Sequence, residues 1–188
     1  MAFSVYAPLT DPFISKVQAI ALALGITPAV LGDRPLALHR EPAVLVNVPG
    51  SPHGTTTYQL TPDTCRAWLA LQDAARAQGV ALALVSAFRS VDRQQEIIAA
   101  KLANGQSIAE ILTSVAPPGY SEHHTGRAID IGTCEDAALE EVFESTPSFA
   151  WLQVHAAAFG FVMSYPRDNA AGFVFEPWHW CYQGVENS

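Results

Sequence analysis

The chain has 188 residues, of which 49% are hydrophobic and 15% charged, so it is long enough and apolar enough to bury a core. Its formal net charge of -8 at pH 7 argues against a nucleic-acid partner, because phosphate binding requires a basic face. The ten lysines and arginines are scattered, which leaves no polybasic segment that could attach the chain to a membrane.

The first half of the chain predicts helices alternating with short strands. In chain order we predict a helix over 11–25, strands over 43–48 and 55–60, a helix over 61–79, a strand over 81–87 and helices over 91–103 and 107–115. Asp11-Pro12 and Ser90 are typical helix starts, and Gly25 and Gly79 are typical ends.

The second half predicts mostly strands. We predict a strand over 127–132, a helix over 148–159 capped by Ser148, and strands over 161–165, 173–176 and 178–182. This alternation indicates an α+β fold, with helices packed on a mainly antiparallel sheet and a metal site in a cleft. We expect a single compact domain over 1–188, in which an N-terminal extension (1–56) packs on a core (57–188).

The N-terminal residues do not resemble a secretory signal. They contain no early lysine or arginine, and Pro8, Asp11 and Pro12 precede the apolar stretch 14–24. That stretch contains Lys16 and is too short to span a bilayer. We therefore expect a cytoplasmic protein, or a periplasmic one if a signal has been removed.

Three cysteines, Cys65, Cys134 and Cys181, cannot all pair within one chain, and no CxxC spacing is present. We expect free buried thiols in a reducing compartment. One disulfide with a free thiol is the alternative.

The segment 121–130 carries two candidate metal ligands, His123 and Asp130. Their separation suits one ligand at the end of a loop and a second on the strand that follows, with Gly126 allowing a tight turn between them. Asp130 lies in an otherwise apolar run, where a carboxylate needs a cation or a full set of hydrogen bonds.

The segment 176–179 adds a third candidate ligand, His179, and a spare carboxylate, Glu176. Residues three apart on a strand face opposite sides, so Pro177 must bend the chain for the two to converge. Two imidazoles and a carboxylate leave a position open for water, and Glu176 can act as the base; zinc hydrolases use this set. The alternative is that these are unrelated polar residues of the core or surface, which explains the joint pattern less well.

The two segments resemble motifs of the VanY-type zinc D-alanyl-D-alanine carboxypeptidase family, which also includes L,D-carboxypeptidases. The motif Ser-x-His-x-x-Gly-x-Ala-x-Asp is met at Ser121, His123, Gly126, Ala128 and Asp130, and the motif Glu-x-x-His at Glu176 and His179. The resemblance covers about 82–184. It implies one Zn²⁺ held by His123, Asp130 and His179, with Glu176 as catalytic base, although such a ligand set also accepts other divalent ions.

The resemblance also implies a substrate end of the site. Ser86-Ala87-Phe88-Arg89 stands where the family typically has Ser-Gly-Tyr-Arg, which implies that Arg89 grips the terminal carboxylate of a peptide. Further substrate contacts are implied or expected for four residues: Gln94, Ser121, Tyr165 and Trp178. For Tyr165 and Trp178, packing in the core is an almost equal alternative.

Two residues near the ligands are not assigned to the site. His124 adjoins His123 and, in an extended chain, would point away from the metal, so we expect at most a place on the rim. Cys181 shares a strand face with His179, but with three ligands already assigned we expect an inert thiol.

We therefore expect a monomeric zinc metallopeptidase whose partner is a peptidoglycan stem peptide ending in D-alanine. We favour L,D-carboxypeptidase action on tetrapeptides, because a cytoplasmic enzyme that trimmed pentapeptide precursors would interrupt wall synthesis. D,D-carboxypeptidase action on pentapeptides and L-alanyl-D-glutamate endopeptidase action are the alternatives. A non-catalytic zinc module fits least well, since Glu176 would then have no use.

Overall fold

The computed structural model describes residues 11–49, 56–133 and 139–185. The α-helices are α1 (Pro12–Ala23), α2 (Pro28–Leu31), α3 (Pro62–Ala77), α4 (Val91–Ala103), α5 (Ile108–Ile111) and α6 (Pro147–His155). Short 3-10 helices lie at Glu122–Thr125, Glu141–Ser145 and Ala156–Phe159. None of the helices in these ranges has the length and apolarity needed to cross a membrane.

The strands form two antiparallel sheets, which confirms the predicted α+β fold. They are β1 (Val46–Pro49), β2 (Thr57–Leu60), β3 (Ala83–Ser86), β4 (Ala128–Gly132), β5 (Phe161–Met163) and β6 (His179–Tyr182). β1 pairs with β2, and the larger sheet has the order β3-β4-β6-β5. The register places Asp130 opposite both His179 on β6 and Ser86 on β3. Two predicted ligands thus come together through strand pairing.

Two hydrophobic cores hold the sheet and helices in place. In the first, α3 and α6 pack against the larger sheet, with Trp68, Leu71 and Leu152 fully buried. In the second, α1 packs against α4 and α5 through Val17 and Ile98, among others. Burial of these apolar side chains anchors both the sheet that carries two of the candidate metal ligands and the helix that follows Arg89.

Most predicted elements appear, with three differences. Ser148 does not cap α6; Thr146 does, accepting a hydrogen bond from the Phe149 amide. The segment 173–176 belongs to no strand, and its Val174 and Glu176 amides bond instead to the carbonyls of Thr113 and Tyr165. The short helix α2 and the 3-10 helix Glu122–Thr125 were not predicted, since four-residue elements carry little periodic signal.

The two cysteines within the described residues confirm the expectation of free buried thiols. Cys65 and Cys181 are buried free thiols. Burial is also the main cause that raises the pKa of both thiols, so they are poor nucleophiles and poor ligands at neutral pH. Cys134 lies outside the described residues.

Candidate active site

One cavity of about 310 Å³ brings together every residue that the sequence analysis placed in the site. The nine predicted residues on its wall are Arg89, Gln94, Ser121, His123, Asp130, Tyr165, Glu176, Trp178 and His179. Six further residues that were not predicted complete the lining: Ser114, Val115, Ala116, Leu139, Phe173 and Val174. The cavity therefore combines a polar floor with an apolar wall, as ligand sites usually do.

The three candidate metal ligands meet around the Asp130 carboxylate. Its Oδ2 atom lies 3.2 Å from Nε2 of His123, and its Oδ1 atom lies 3.0 Å from Nδ1 of His179. All three residues are buried, and one potential ligand atom from each lies within 4.8 Å of the others. Although burial opposes it, the two imidazoles hold the pKa of Asp130 below its ordinary value. The carboxylate is thus charged and ready to bind a cation.

The turn before β4 places His123, and it requires a glycine. The 3-10 helix Glu122–Thr125 ends at Gly126, which has a left-handed conformation with φ 66°. The Gly126 carbonyl accepts a hydrogen bond from the Thr61 amide, and a Cβ at Gly126 would come within 2.9 Å of the Leu45 side chain. The predicted tight turn and close backbone approach are therefore both present.

A backbone carbonyl sets the tautomer of His123. Its Nδ1 atom lies 2.7 Å from the Ala87 carbonyl oxygen, which can only accept a hydrogen bond. Nδ1 must therefore carry the proton, and the lone pair of Nε2 faces Asp130. Burial is the main cause that lowers the pKa of His123, so the imidazole is neutral, as a metal ligand must be.

The Glu176–His179 segment turns as the sequence predicted. The His179 amide donates to the Glu176 carbonyl (3.1 Å), which closes a turn through Pro177 and Trp178. This turn brings a Glu176 carboxylate oxygen to 3.9 Å from Nδ1 of His179. Burial raises the pKa of Glu176 to about 7, the range suited to a general base at neutral pH.

Glu122 is a site residue that the sequence analysis missed. Its Oε2 atom lies 2.9 Å from Nε2 of His179, on the side of the ring opposite Asp130. A carboxylate there accepts the Nε2 proton and leaves Nδ1 for the metal. Burial lowers the pKa of His179, but its hydrogen bonds to Asp130 and Glu122 outweigh burial and raise that pKa to about 10. The only sequence signal was an acidic residue directly before a predicted ligand.

Arg89 is held by its neighbours with part of its guanidinium group facing the cavity. Nη1 donates to the Gln94 side-chain carbonyl (3.0 Å), and Nη2 donates to the Ser86 hydroxyl (3.2 Å). Gln94 is itself fixed, because its amide nitrogen donates to the Ala116 carbonyl (2.7 Å). Burial lowers the pKa of Arg89, but a guanidinium still remains charged at neutral pH. A half-buried, fixed cation of this kind suits a carboxylate ligand.

His124 supports the site from the core, and the expectation of a rim position was wrong. It is fully buried, its Nε2 atom accepts a hydrogen bond from the Gly119 amide (3.0 Å), and its Nδ1 atom donates to the Arg89 carbonyl (2.6 Å). The rim expectation assumed an extended chain, whereas the 3-10 turn directs this side chain inward. Burial lowers the pKa of His124 to about 4, which keeps it neutral.

The two predicted aromatic residues serve both as packing and as cavity wall. Tyr165 is 9% exposed and packs between the rings of Phe173 (4.9 Å between centroids) and His179 (4.7 Å). Trp178 lies in the turn before β6 and lines the same cavity. Tyr165 thus packs against the ring of a candidate ligand while also lining the cavity.

The donor set fits zinc. Two imidazole nitrogens and one carboxylate oxygen are typical protein ligands of a catalytic zinc ion, and all three candidate residues line the cavity. The unused ring nitrogen of each histidine already has a hydrogen-bond acceptor, Ala87 for His123 and Glu122 for His179. Such partners orient metal-binding histidines.

Comparison with known proteins identifies the family. Residues 57–185 match the family model VanY, described as D-alanyl-D-alanine carboxypeptidase. The chain is 38% identical over 128 residues to the D-alanyl-D-alanine carboxypeptidase of Enterococcus faecalis (strain ATCC 700802 / V583), a match over 62% of this chain and 45% of that protein. The chain thus spans less than half of that relative's length.

Solved structures share the fold. The LdcB LD-carboxypeptidase superposes with a TM-score of 0.70 at 32% identity, covering 78% of this chain and 71% of that chain. A mutant of the vancomycin-resistance D,D-pentapeptidase VanY from the VanB-type cassette, in complex with Zn(II), superposes with a TM-score of 0.59 at 30% identity, covering 78% and 84%. Because the family model matches more than half of the chain, this protein belongs to the VanY D-alanyl-D-alanine carboxypeptidase family.

Proposed function

We propose that this protein is a zinc-dependent carboxypeptidase that removes the terminal D-alanine from peptidoglycan stem peptides. The observation that carries the proposal is the content of one cavity: a buried cluster of metal ligands, a carboxylate with a raised pKa and a fixed arginine. A hydrolase that acts at a chain end needs these three parts, one to polarise the bond, one to move a proton and one to recognise the terminus.

His123, Asp130 and His179 would hold the zinc ion. Bound there, zinc supplies Lewis acidity toward a carbonyl and lowers the pKa of water toward ~7. Glu176 accepts the proton of the attacking water and returns it to the leaving amine. Its raised pKa suits both steps, because a group with a pKa near the working pH can take and give a proton.

Arg89 would bind the carboxylate of the terminal residue. The hydrogen bonds from Arg89 to Gln94 and Ser86 fix the guanidinium group on the wall of the cavity that the candidate metal ligands also line, where it can recognise the free end of a peptide. Ser121 is buried on the same wall, and its hydroxyl would offer a further hydrogen bond to the terminal residue of the peptide. An endopeptidase does not need a fixed, half-buried cation that binds a free carboxylate, which makes cleavage between L-alanine and D-glutamate the weaker candidate.

We further propose L,D-carboxypeptidase action on tetrapeptides. The likeness to the LdcB LD-carboxypeptidase, with a TM-score of 0.70, supports this choice. A cytoplasmic location, which we also propose, supports it too, since trimming recycled tetrapeptides leaves pentapeptide precursors intact. D,D-carboxypeptidase action is the second candidate, favoured by the relative from Enterococcus faecalis.

The test is to incubate the zinc-loaded protein separately with tetrapeptide and pentapeptide stems and to weigh the products. Loss of one alanine from the tetrapeptide alone supports L,D action, and loss from the pentapeptide alone supports D,D action. The controls are a chelator, which should abolish release, and stems amidated at the C-terminus, which should resist cleavage. Release of D-alanine from neither stem contradicts the proposed function.

A further inference from the structure

Arg34, which lies between α2 and β1, bridges two distant segments of the chain. Its Nε atom donates to the Ala171 carbonyl (2.6 Å), and its Nη1 atom donates to the Leu112 carbonyl (2.8 Å). A guanidinium can make two such bonds in fixed directions, whereas a lysine ammonium is a point charge on a flexible stem. Arg34 thus acts as a rigid link between residues far apart in sequence.

The two bridged segments form the apolar side of the catalytic cavity. Ser114 and Val115 follow Leu112, Phe173 and Val174 follow Ala171, and all four line the cavity. The segments also bond to each other directly, through the Val174 amide and the Thr113 carbonyl (2.9 Å). We call residues 112–115 and 171–174 the cleft wall. Arg34 supplies a second, charged connection across it.

Arg34 also connects the cleft wall to the metal ligands. Its guanidinium carbon lies 4.2 Å from the centroid of the Phe173 ring, a cation–π distance. Phe173 packs on Tyr165, and Tyr165 packs on His179. A change at Arg34 therefore acts on the wall of the cavity first, and reaches the metal ligand only through two further ring contacts.

We propose that Arg34 is a positioning residue that sets the affinity for the substrate by holding the cleft wall in place. This inference rests on the proposed function. The wall faces the same cavity as Arg89 and Glu176, so a peptide bound by Arg89 must lie along it. Loss of Arg34 leaves two carbonyls without their donor and frees the wall to move, which weakens peptide binding while leaving Glu176 and the ligands where they are.

The experiment compares Arg34→Met and Arg34→Lys with the control Arg40→Met. Arg40 lies on the same N-terminal segment and also stacks on a ring, that of Phe13 at 4.8 Å, but its polar partner is the exposed Asp11. Three quantities are measured: KM and kcat for the D-alanine-terminated stem that the wild type cleaves, zinc affinity, and hydrogen exchange of the backbone amides in 171–174.

For Arg34→Met we expect KM to rise about tenfold, the effect of one lost charged hydrogen bond, with kcat within about twofold of the wild type. The amides of 171–174 should exchange about tenfold faster, and zinc affinity should not change. Arg34→Lys should lie between the wild type and Arg34→Met, and Arg40→Met should match the wild type in all three measurements.

An unchanged KM in an active, folded Arg34 variant overturns the inference, as does a KM that rises equally in Arg40→Met. If Arg34→Met does not fold, Arg34→Lys decides by the same criteria. A wild type that cleaves no stem overturns the proposed function itself, a result distinct from an active wild type with an unaffected variant.

Discussion

The imidazole of His179 lies between two carboxylates, with Asp130 3.0 Å from Nδ1 and Glu122 2.9 Å from Nε2. Asp130 is a candidate metal ligand, so we expect Glu122 to decide which nitrogen of His179 carries the proton when a metal is bound. The Glu122 carboxylate is half-buried, and its hydrogen bonds with His179 and Ser164 stabilise its charged form. A histidine oriented in this way is a stronger ligand than a free one.

The first prediction concerns Glu122. Glu122→Gln keeps an oxygen near His179 but removes the charge, so we expect zinc affinity to fall about tenfold. Competition with a chromophoric chelator measures the affinity. Glu96→Gln is the matched control, because Glu96 is exposed on α4 and pairs with Arg93. Equal zinc affinity in Glu122→Gln and wild type would remove Glu122 from the site.

The second prediction concerns the proton on His179. Its pKa is raised to about 10, so the imidazole is protonated at pH 8 and must release a proton to bind a metal. Asp130 and His123 are already deprotonated, since the pKa of each is lowered. We therefore expect one proton per zinc, and an apparent affinity about tenfold higher at roughly pH 9 than at roughly pH 8. Calorimetric titration in two buffers with different ionisation enthalpies measures the release. Zinc binding without proton release would contradict the protonation state assigned to His179.

The third prediction concerns Glu176. Glu176→Gln should bind zinc as the wild type does but lose about 10²–10⁴-fold in kcat, because the base is gone. In the wild type, the base works deprotonated, so kcat/KM should fall as the pH drops below the pKa of Glu176. Burial sets that pKa at about 7, and a bound cation lowers it, so the acid limb should lie at or below pH 7. Discontinuous activity assays across the pH range measure both the loss of kcat in the variant and the acid limb of kcat/KM in the wild type. Full activity in the variant would rule out Glu176 as the base.

The fourth prediction concerns Arg89. Arg89→Met should reduce kcat/KM by roughly 100-fold for a stem with a free carboxylate, the loss of a charged bidentate contact. It should also lose the preference for that stem over its C-terminal amide. Arg93→Met, an exposed arginine on α4, is the control. A variant that still prefers the free carboxylate would show that another group recognises the chain end.

Local sequence patterns predicted the two turns that bring the candidate site residues together, because those turns depend on neighbouring residues. Gly126 between His123 and Asp130 allows the turn, and Pro177 between Glu176 and His179 allows the bend. The helix starts predicted at Asp11 and Ser90 also depend only on neighbouring residues. Both side chains accept the expected hydrogen bonds from backbone amides of the first helical turn.

The missed features depend on partners far away in sequence. Glu122 meets His179 across 57 positions, His124 meets the Arg89 carbonyl across 35, and Arg34 meets the Ala171 carbonyl across 137. No spacing rule links such residues, since the contact exists only after the strands pair and the cores close. The error at 173–176 has the same origin, because whether an apolar run joins a sheet depends on the free edges of the other strands.

The amino-acid sequence by itself therefore determined which side chains can hold a metal, move a proton and bind a carboxylate, because donor type and turn geometry are properties of short segments. Only the tertiary structure decided how these groups are oriented. The pairing of β4 with β6 sets Asp130 against His179. Burial raises the pKa of Glu176, and hydrogen bonds to Asp130 and Glu122 raise the pKa of His179 against the effect of burial. Orientation and desolvation are products of packing, and packing is a property of the whole chain.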